Sequence, residues 1–217
     1  MATARSVTPI EPDARQRKLR RGPLTRTQIL DASLRLFSEK GFARTSVRDI
    51  AQAAGITDAA IYYHFASKRD LFEALIEERG FTAALENLER AEITVGPREA
   101  ITGIALGALE FIYSNRDLMK VLMLEAMAQD AVAAEEYRIL VDRWQRAEAR
   151  ILRHYAEHGQ LRTQAIDELA TQLVITVLGV FADHLMKPTA ATVSDVPPPE
   201  LMRHVEAAME HIVQGIT

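Results

Sequence analysis

Cysteine is absent from the 217 residues, which excludes disulfides, thiolate metal sites and cysteine nucleophiles. Tryptophan occurs once and glycine only ten times. Neither a glycine-rich phosphate loop nor a Gly-x-Ser-x-Gly nucleophile turn is present. No alternating strand pattern and no internal repeat competes with the helical periodicity described below. Long hydrophobic runs are missing too. The nearest, residues 173–182, is too short to span a bilayer and runs directly into Asp183 and His184. The N-terminus lacks the apolar core of a signal peptide, so a cytoplasmic protein with no membrane partner is expected. What remains is ordinary for a globular chain: 48% hydrophobic and 26% charged residues, enough for one large or two small domains.

The formal net charge of −4 taken alone speaks against a nucleic-acid ligand, but its distribution reverses that reading. Through Arg69 there are 13 Lys and Arg against 6 Asp and Glu, whereas the remainder carries 13 against 24. A basic segment on an acidic body suggests a contact region for a polyanion, or else a basic tail on an ordinary domain. Residues 1–23 contain little apolar material and the cluster Arg15, Arg17, Lys18, Arg20 and Arg21. They read as a disordered basic arm, following the phosphate backbone or serving only as a solvated tail.

Helical periodicity begins at about residue 25. Thr25 and Gln28 form a capping-box pattern, Ile29, Ala32, Leu36 and Phe37 one apolar face, and Gly41 a stop. In the next helix Ser46 caps, Asp49 stands three residues on, and Val47, Ile50, Ala51 and Ala54 face inward. Gly55 supplies a turn, and Thr57 caps a further helix whose Ile61 lies at staple distance from Ile56. Helix, glycine turn and second helix make a helix-turn-helix pattern, with Phe37, Phe42, Val47, Ile50, Ile61 and Phe65 as its core. A fourth helix opens at Ser67 with Asp70, carries Leu71, Phe72, Leu75 and Ile76, and is expected to run past Gly80 to residue 88. Beyond it, residues 100–113, 118–127, 131–158, 166–186 and 200–213 all read as helix, so the fold class is all-α.

The outer surface of the motif carries the chemistry. On a helical wheel Ile61 and Phe65 share one face, with Ala59 and Tyr63 opposite and Asp58 and Tyr62 to the side. The small Ala59 and Ala60 permit close approach to a groove, and the hydroxyls of Tyr62 and Tyr63 suit phosphate, sugar or thymine methyl contacts. His64 and Lys68 lie at the far end. Thr45, Ser46, Val47 and Arg48 open the preceding helix, where amides and hydroxyls are natural phosphate ligands. Asp58 suits a cytosine amino group better than a phosphate. The competing readings are local: Thr57 and Ser46 as caps only, Tyr62 as packing, Lys68 as a solvated charge.

These residues resemble the TetR-type (tetracycline-repressor-like) transcriptional regulators. The resemblance is carried by Ile29-Leu-Asp-Ala, Leu36-Phe37, Gly41-Phe42, Thr45-Ser46-Val47-Arg48-Asp49-Ile50-Ala51, Ala54-Gly55-Ile56, Ile61-Tyr62-Tyr63-His64-Phe65 and Lys68. It implies that the helix from Thr57 enters the major groove of operator DNA with Tyr63 toward the bases. Thr45, Ser46, Tyr62, His64 and Lys68 are matched to backbone contacts. It implies a division into a helix-turn-helix domain over 24–70 and an effector-binding and dimerisation domain over 71–217. It also implies a small-molecule pocket, for which Phe111, Met119, Met123, Met127, Tyr137, Trp144 and Phe181 are candidates, and no cofactor. Repression relieved by ligand is the commoner outcome in such a family, with activation the alternative.

A single reading head contacts few bases, so a symmetric dimer on a palindrome is expected. The candidate interface is 166–186 with 200–213: Leu169, Leu173, Val177 and Val180 with Thr176 and Gly179 on the first, Leu201, Val205, Met209 and Ile212 on the second. One enzymatic pattern competes. His154, Glu157 and His158 fit the H-x-x-E-H motif of a metal-dependent hydrolase, although Gly159 ends the helix before a further ligand.

Overall fold

A computed structural model describes residues 14–163, 165–187 and 195–216, leaving the side chains of 14–24 and Arg79 outside the description. The chain forms two compact units, Met1–Phe72 and Glu73–Thr217, and helices account for all regular structure among the described residues. The first unit holds α1 (Ala14–Lys40), α2 (Val47–Ala54), α3 (Asp58–His64) and the start of α4 (Lys68–Arg79). The expected arm is thereby corrected in part. α1 begins at Ala14, so the basic cluster is helical and Thr25 sits inside a helix rather than capping one. Arg, Lys, Gln and Leu propagate helix well enough to carry it upstream through Gly22 and Pro23. Residues 1–13 lie outside the described residues.

The core of this unit is Ile29, Leu30, Phe37, Ile50, Ala51, Ile61, Leu71 and Phe72, none more than 1% exposed, with Phe65 beside them. Each of the leucine, isoleucine and phenylalanine side chains contributes about 1.5–3 kcal/mol on burial. Phe42 and Val47, expected in the core, are half-buried. Phe42 still packs its ring 5.2 Å from Phe37 and 5.0 Å from Phe72, closing an aromatic triad.

The second unit contains α5 (Thr82–Glu89), α6 (Pro97–Ser114), α7 (Arg116–Met127), α8 (Ala131–Glu157), α9 (Ile166–Met186) and α10 (Pro199–Ile216). α9 packs against α8, α6 and α10, while α5 and α7 lie on α8. By length and apolarity α9 qualifies as a membrane span, which the sequence reading did not anticipate. Its Leu169, Leu173, Val174, Val177 and Phe181 are all buried within this unit, as befits a core helix. The same burial corrects the dimer expectation. Leu169, Leu173 and Val177, with Leu201, Val205 and Met209 of α10, are at most 6% exposed and belong to the unit's own core. Of the other expected interface residues Gly179 is exposed, and Thr176, Val180 and Ile212 are half-buried; Ile175 and Met186 of α9 are exposed as well.

The expected helix from Ser67 to residue 88 is broken. α4 ends at Arg79, and Phe81 turns inward to set its ring 5.6 Å from Phe111 before α5 starts. Gly80 allows this, because a Cβ there would lie 2.1 Å from the Ile76 carbonyl oxygen. Gly80→Ala is therefore expected to cost about 1–3 kcal/mol by forcing that backbone apart. Urea unfolding at fixed protein concentration measures this, and an unchanged midpoint would show the break to be tolerant of a side chain.

Candidate nucleic-acid interface and ligand cavity

Local chemistry fixes α2 and α3 at each end. Ser46 is the N-cap of α2: its Oγ accepts from the Asp49 N–H at 3.1 Å, while Asp49 Oδ2 accepts from the Ser46 amide at 2.9 Å and the Ser46 hydroxyl at 2.6 Å. Those two donors hold the Asp49 carboxyl below its usual range. Gly55 ends α2 in the left-handed region at φ 68°, where a side chain would be strained. Ile56 N–H then donates back to Ala51 O at 3.0 Å. Thr57 caps α3 by accepting from Ala60 N–H at 3.2 Å, a contact of the kind that contributes about 1 kcal/mol.

α3 is anchored by Ile61, the one residue of its seven that is buried, and by Phe65 just beyond. The Arg26 guanidinium lies 4.5 Å from the centre of the Phe65 ring and holds its other side. Everything else on α3 faces outward or to the flank. Tyr63 is 81% exposed and Tyr62 55%, with Asp58 and Ala59 also exposed and Ala60 half-buried. The half-buried His64 ring meets Tyr63 edge-on at 5.2 Å. Ser46 and Arg48 are exposed at the start of α2. The surface is thus a short helix with two tyrosines, two small residues and an acid at its N-terminus, beside the exposed amino end of another helix.

Two expected contacts are corrected. Thr45 is only 1% exposed, and its hydroxyl donates to Gly41 O at 2.9 Å. Lys68 directs its ammonium to Phe42 O at 2.7 Å and Thr45 O at 2.8 Å, 4.3 Å from the centre of the Phe42 ring. Both side chains lock the loop between α1 and α2. Their polarity made them resemble surface ligands, whereas both donate to backbone carbonyls of or beside this loop.

The second unit holds a cavity of about 360 Å³, within the range of small-molecule sites. Leu85 and Leu88 of α5, Phe111 of α6, Met119 of α7, and Leu140 and Trp144 of α8 form its walls. Arg143 braces α5 against α8 with two 2.9 Å bonds to the Glu89 carboxylate, which lower that group's pKa. Arg150 donates to the Leu88 and Ala91 carbonyls at the end of α5. Of the expected lining residues, Phe111, Met119 and Trp144 are present. Met123, Met127, Tyr137 and Phe181 are not: Met127 is 73% exposed and Phe181 fully buried elsewhere in the core. The sequence reading missed Phe81 and the small-residue edge Gly103, Gly107 and Ala108. The four-residue spacing of the two glycines was the available signal.

The hydrolase pattern assembles nothing. His158 Nδ1 lies 2.7 Å from the His154 carbonyl oxygen, and the two rings meet at a 40° tilt with centroids 4.3 Å apart. No group of three or more potential metal ligands occurs among the described residues.

A glycine-turned helix pair presenting an exposed, aromatic second helix gives the first unit the helix-turn-helix pattern. Residues 29–75 match the model of the bacterial regulatory proteins of the tetR family. The chain is similar to the HTH-type transcriptional regulator AcrR of Shigella flexneri, 36% identical over 122 residues covering 54% of this chain and 57% of that protein. It is 31% identical over 120 residues to the HTH-type transcriptional repressor KstR2 of Mycobacterium tuberculosis, covering 54% and 58%. The chain thus spans somewhat over half the length of these relatives. In overall fold it is similar to FadR of Bacillus subtilis solved with stearoyl-CoA: TM-score 0.68, 19% identity, covering 88% of this chain and 99% of that one.

Proposed function

We infer that the protein is a ligand-responsive transcriptional repressor, cytoplasmic, that binds a palindromic operator as a homodimer. The exposure of Tyr63 carries this reading. A side chain that buries so much apolar area elsewhere is here left 81% in water, on a helix whose packing needs only Ile61. Set in the major groove, Tyr63 and Ala59 face bases, Asp58 stands where a cytosine amino group would meet it, and Tyr62, Thr57 and His64 border phosphate. The Ser46 end of α2, with Val47 and Arg48, supplies backbone amides and one cation to the flanking strand.

The repressor sign is supported by the name of the KstR2 relative, and a small-molecule trigger by the cavity and by the ligand in the FadR structure. Such a ligand must bind better to the arrangement that cannot dock on DNA. Ile175, Gly179 and Met186 of α9, with the outer side of α10, form the face left for a second copy.

Tyr63→Ala is expected to weaken binding to the protein's own upstream DNA by about tenfold, the size of a lost base contact. Its melting temperature should stay put, because so exposed a side chain contributes little to stability. Fluorescence anisotropy against competitor DNA at several salt concentrations measures this. Equal affinity for operator and random sequence would end the regulator reading.

A further inference from the structure

Two histidines one turn apart close the carboxyl end of α8. His154 is half-buried and His158 exposed, and their ring centres lie 4.3 Å apart. The carbonyl oxygen of His154, 2.7 Å from His158 Nδ1, can only accept. In the neutral ring Nδ1 therefore carries the proton, and Nε2 keeps the lone pair. A backbone carbonyl that takes one imidazole N–H and leaves the other nitrogen for an ion is the usual support of a metal-ligating histidine. Capping accounts for His158 alone, since a histidine suits the negative end of the helix dipole, but it asks nothing of His154.

The ring spacing bears on the ion. With metal–nitrogen distances of about 2.0–2.1 Å, two imidazoles at right angles around one ion set their centres roughly 4.5 Å apart, and at the tetrahedral angle roughly 5.2 Å. The observed separation matches the right angle, which belongs to the tetragonal nitrogen sites of Cu²⁺ and Ni²⁺. No third His, Asp or Glu joins the pair in a ligand group among the described residues. Glu148, six residues before His154, is 2% exposed, and burial pushes its carboxyl up to about 8. Gly159 and Gln160, just beyond the pair, are exposed, so water reaches the remaining coordination positions. His204 and His211 on α10 are seven residues apart, about 10 Å along the axis, too far to share an ion.

We propose that His154 and His158 form a two-histidine chelate for a divalent ion of tetragonal preference, Cu²⁺ above Ni²⁺, completed by water and without a catalytic role. The site is independent of the DNA-binding reading. An ion held there ties the last turn of α8 together and adds its binding energy to the folded state.

The full-length protein, stripped with a chelator, is titrated with Cu²⁺ in a buffer that does not bind the ion. One equivalent is expected to bind ahead of any other, and spin-echo spectra of that complex should show two imidazole nitrogens. His154→Ala and His158→Ala should each weaken this step at least about tenfold, because the second ligand attaches within the same molecule. The double variant His204→Ala with His211→Ala should leave it unchanged. Ni²⁺ should bind the same pair more weakly, and Mg²⁺, which prefers oxygen, should not compete. One equivalent of Cu²⁺ should raise the melting temperature of the parent and not that of His158→Ala. Should the half-buried His154→Ala melt lower without metal, the exposed His158→Ala carries the comparison.

The proposal is overturned if the first equivalent shows a single imidazole nitrogen, or if His158→Ala keeps the parent's affinity. Several equal sites, or equal weakening by the α10 double variant, would mark an adventitious surface ion only and overturn it as well.

Discussion

Replacing Lys68 with methionine is expected to lower the stability of the protein by about 2 kcal/mol while leaving the salt dependence of DNA binding unchanged. The ammonium donates to the Phe42 and Thr45 carbonyls, both in the loop that leads from α1 into α2. Hydrogen bonds to a charged group contribute about 1.5–3 kcal/mol, and a half-buried site with partial solvent access belongs toward the lower part of that range. Methionine keeps the apolar stem packed on Phe42 and removes only the donors. The expected consequence for DNA is indirect: a looser α2 amino end and weaker binding. A lysine that neutralised one phosphate would act oppositely. Its loss would flatten the plot of log affinity against log salt by about 0.9 and leave the unfolding midpoint alone. Urea unfolding and anisotropy on the same variant separate the two roles.

Glu148→Gln is expected to stabilise the protein by about 2–3 kcal/mol at pH 8 and by almost nothing at pH 4.5. In the fold this carboxyl titrates at about 8, against 4.5 in an unstructured chain. Below pH 4.5 both states carry the proton, and the acid imposes no penalty. Between 4.5 and 8 the unfolded chain releases its proton while the folded one keeps it, so the unfolded state gains and stability falls with rising pH. Above 8 both are ionised and the loss levels off. Each unit corresponds to about 1.4 kcal/mol, which makes a loss of roughly 4–5 kcal/mol the ceiling, with structural relaxation relieving part of it. Glutamine cannot ionise and escapes this pH dependence. The measurement is the difference between variant and parent at the two pH values, since other groups titrate in both. An equal difference at both would show that the carboxyl is not desolvated.

The reading head was legible in the chain because its signals are local. Ser46 with Asp49, Gly55, and Thr57 act within three or four residues, and their caps form where the pattern puts them. Ile50, Ile61 and Phe65 follow from helical spacing alone. The direction of Thr45 and Lys68 did not, because the acceptors that claim them lie up to 26 residues away and exist only once α1 and α2 have packed. Periodicity likewise found the apolar stripes of α9 and α10 without saying what covers them. Leu173 and Val205 look the same on a wheel whether the neighbour is another helix of this unit or a second copy. The cavity was the least legible part. Large side chains were sought as its walls, but its distinguishing residues, Gly103 and Gly107, signal by having no side chain. The break at Gly80 was hidden for a similar reason: the pattern on either side stays helical, and the approach to the Ile76 carbonyl that only glycine tolerates appears once the chain has turned.

The sparse anchoring of α3 also bears on how such a protein changes over generations. Ile61, with Phe65 just beyond, fixes a seven-residue helix and leaves positions 58, 59, 62 and 63 exposed. Substitutions at such exposed positions usually alter stability by no more than about 0.5 kcal/mol. Mutations that redirect base preference therefore meet almost no resistance from folding. On the proposed function, substitutions there retarget the head to a new operator one residue at a time, while its caps and core stay as they are.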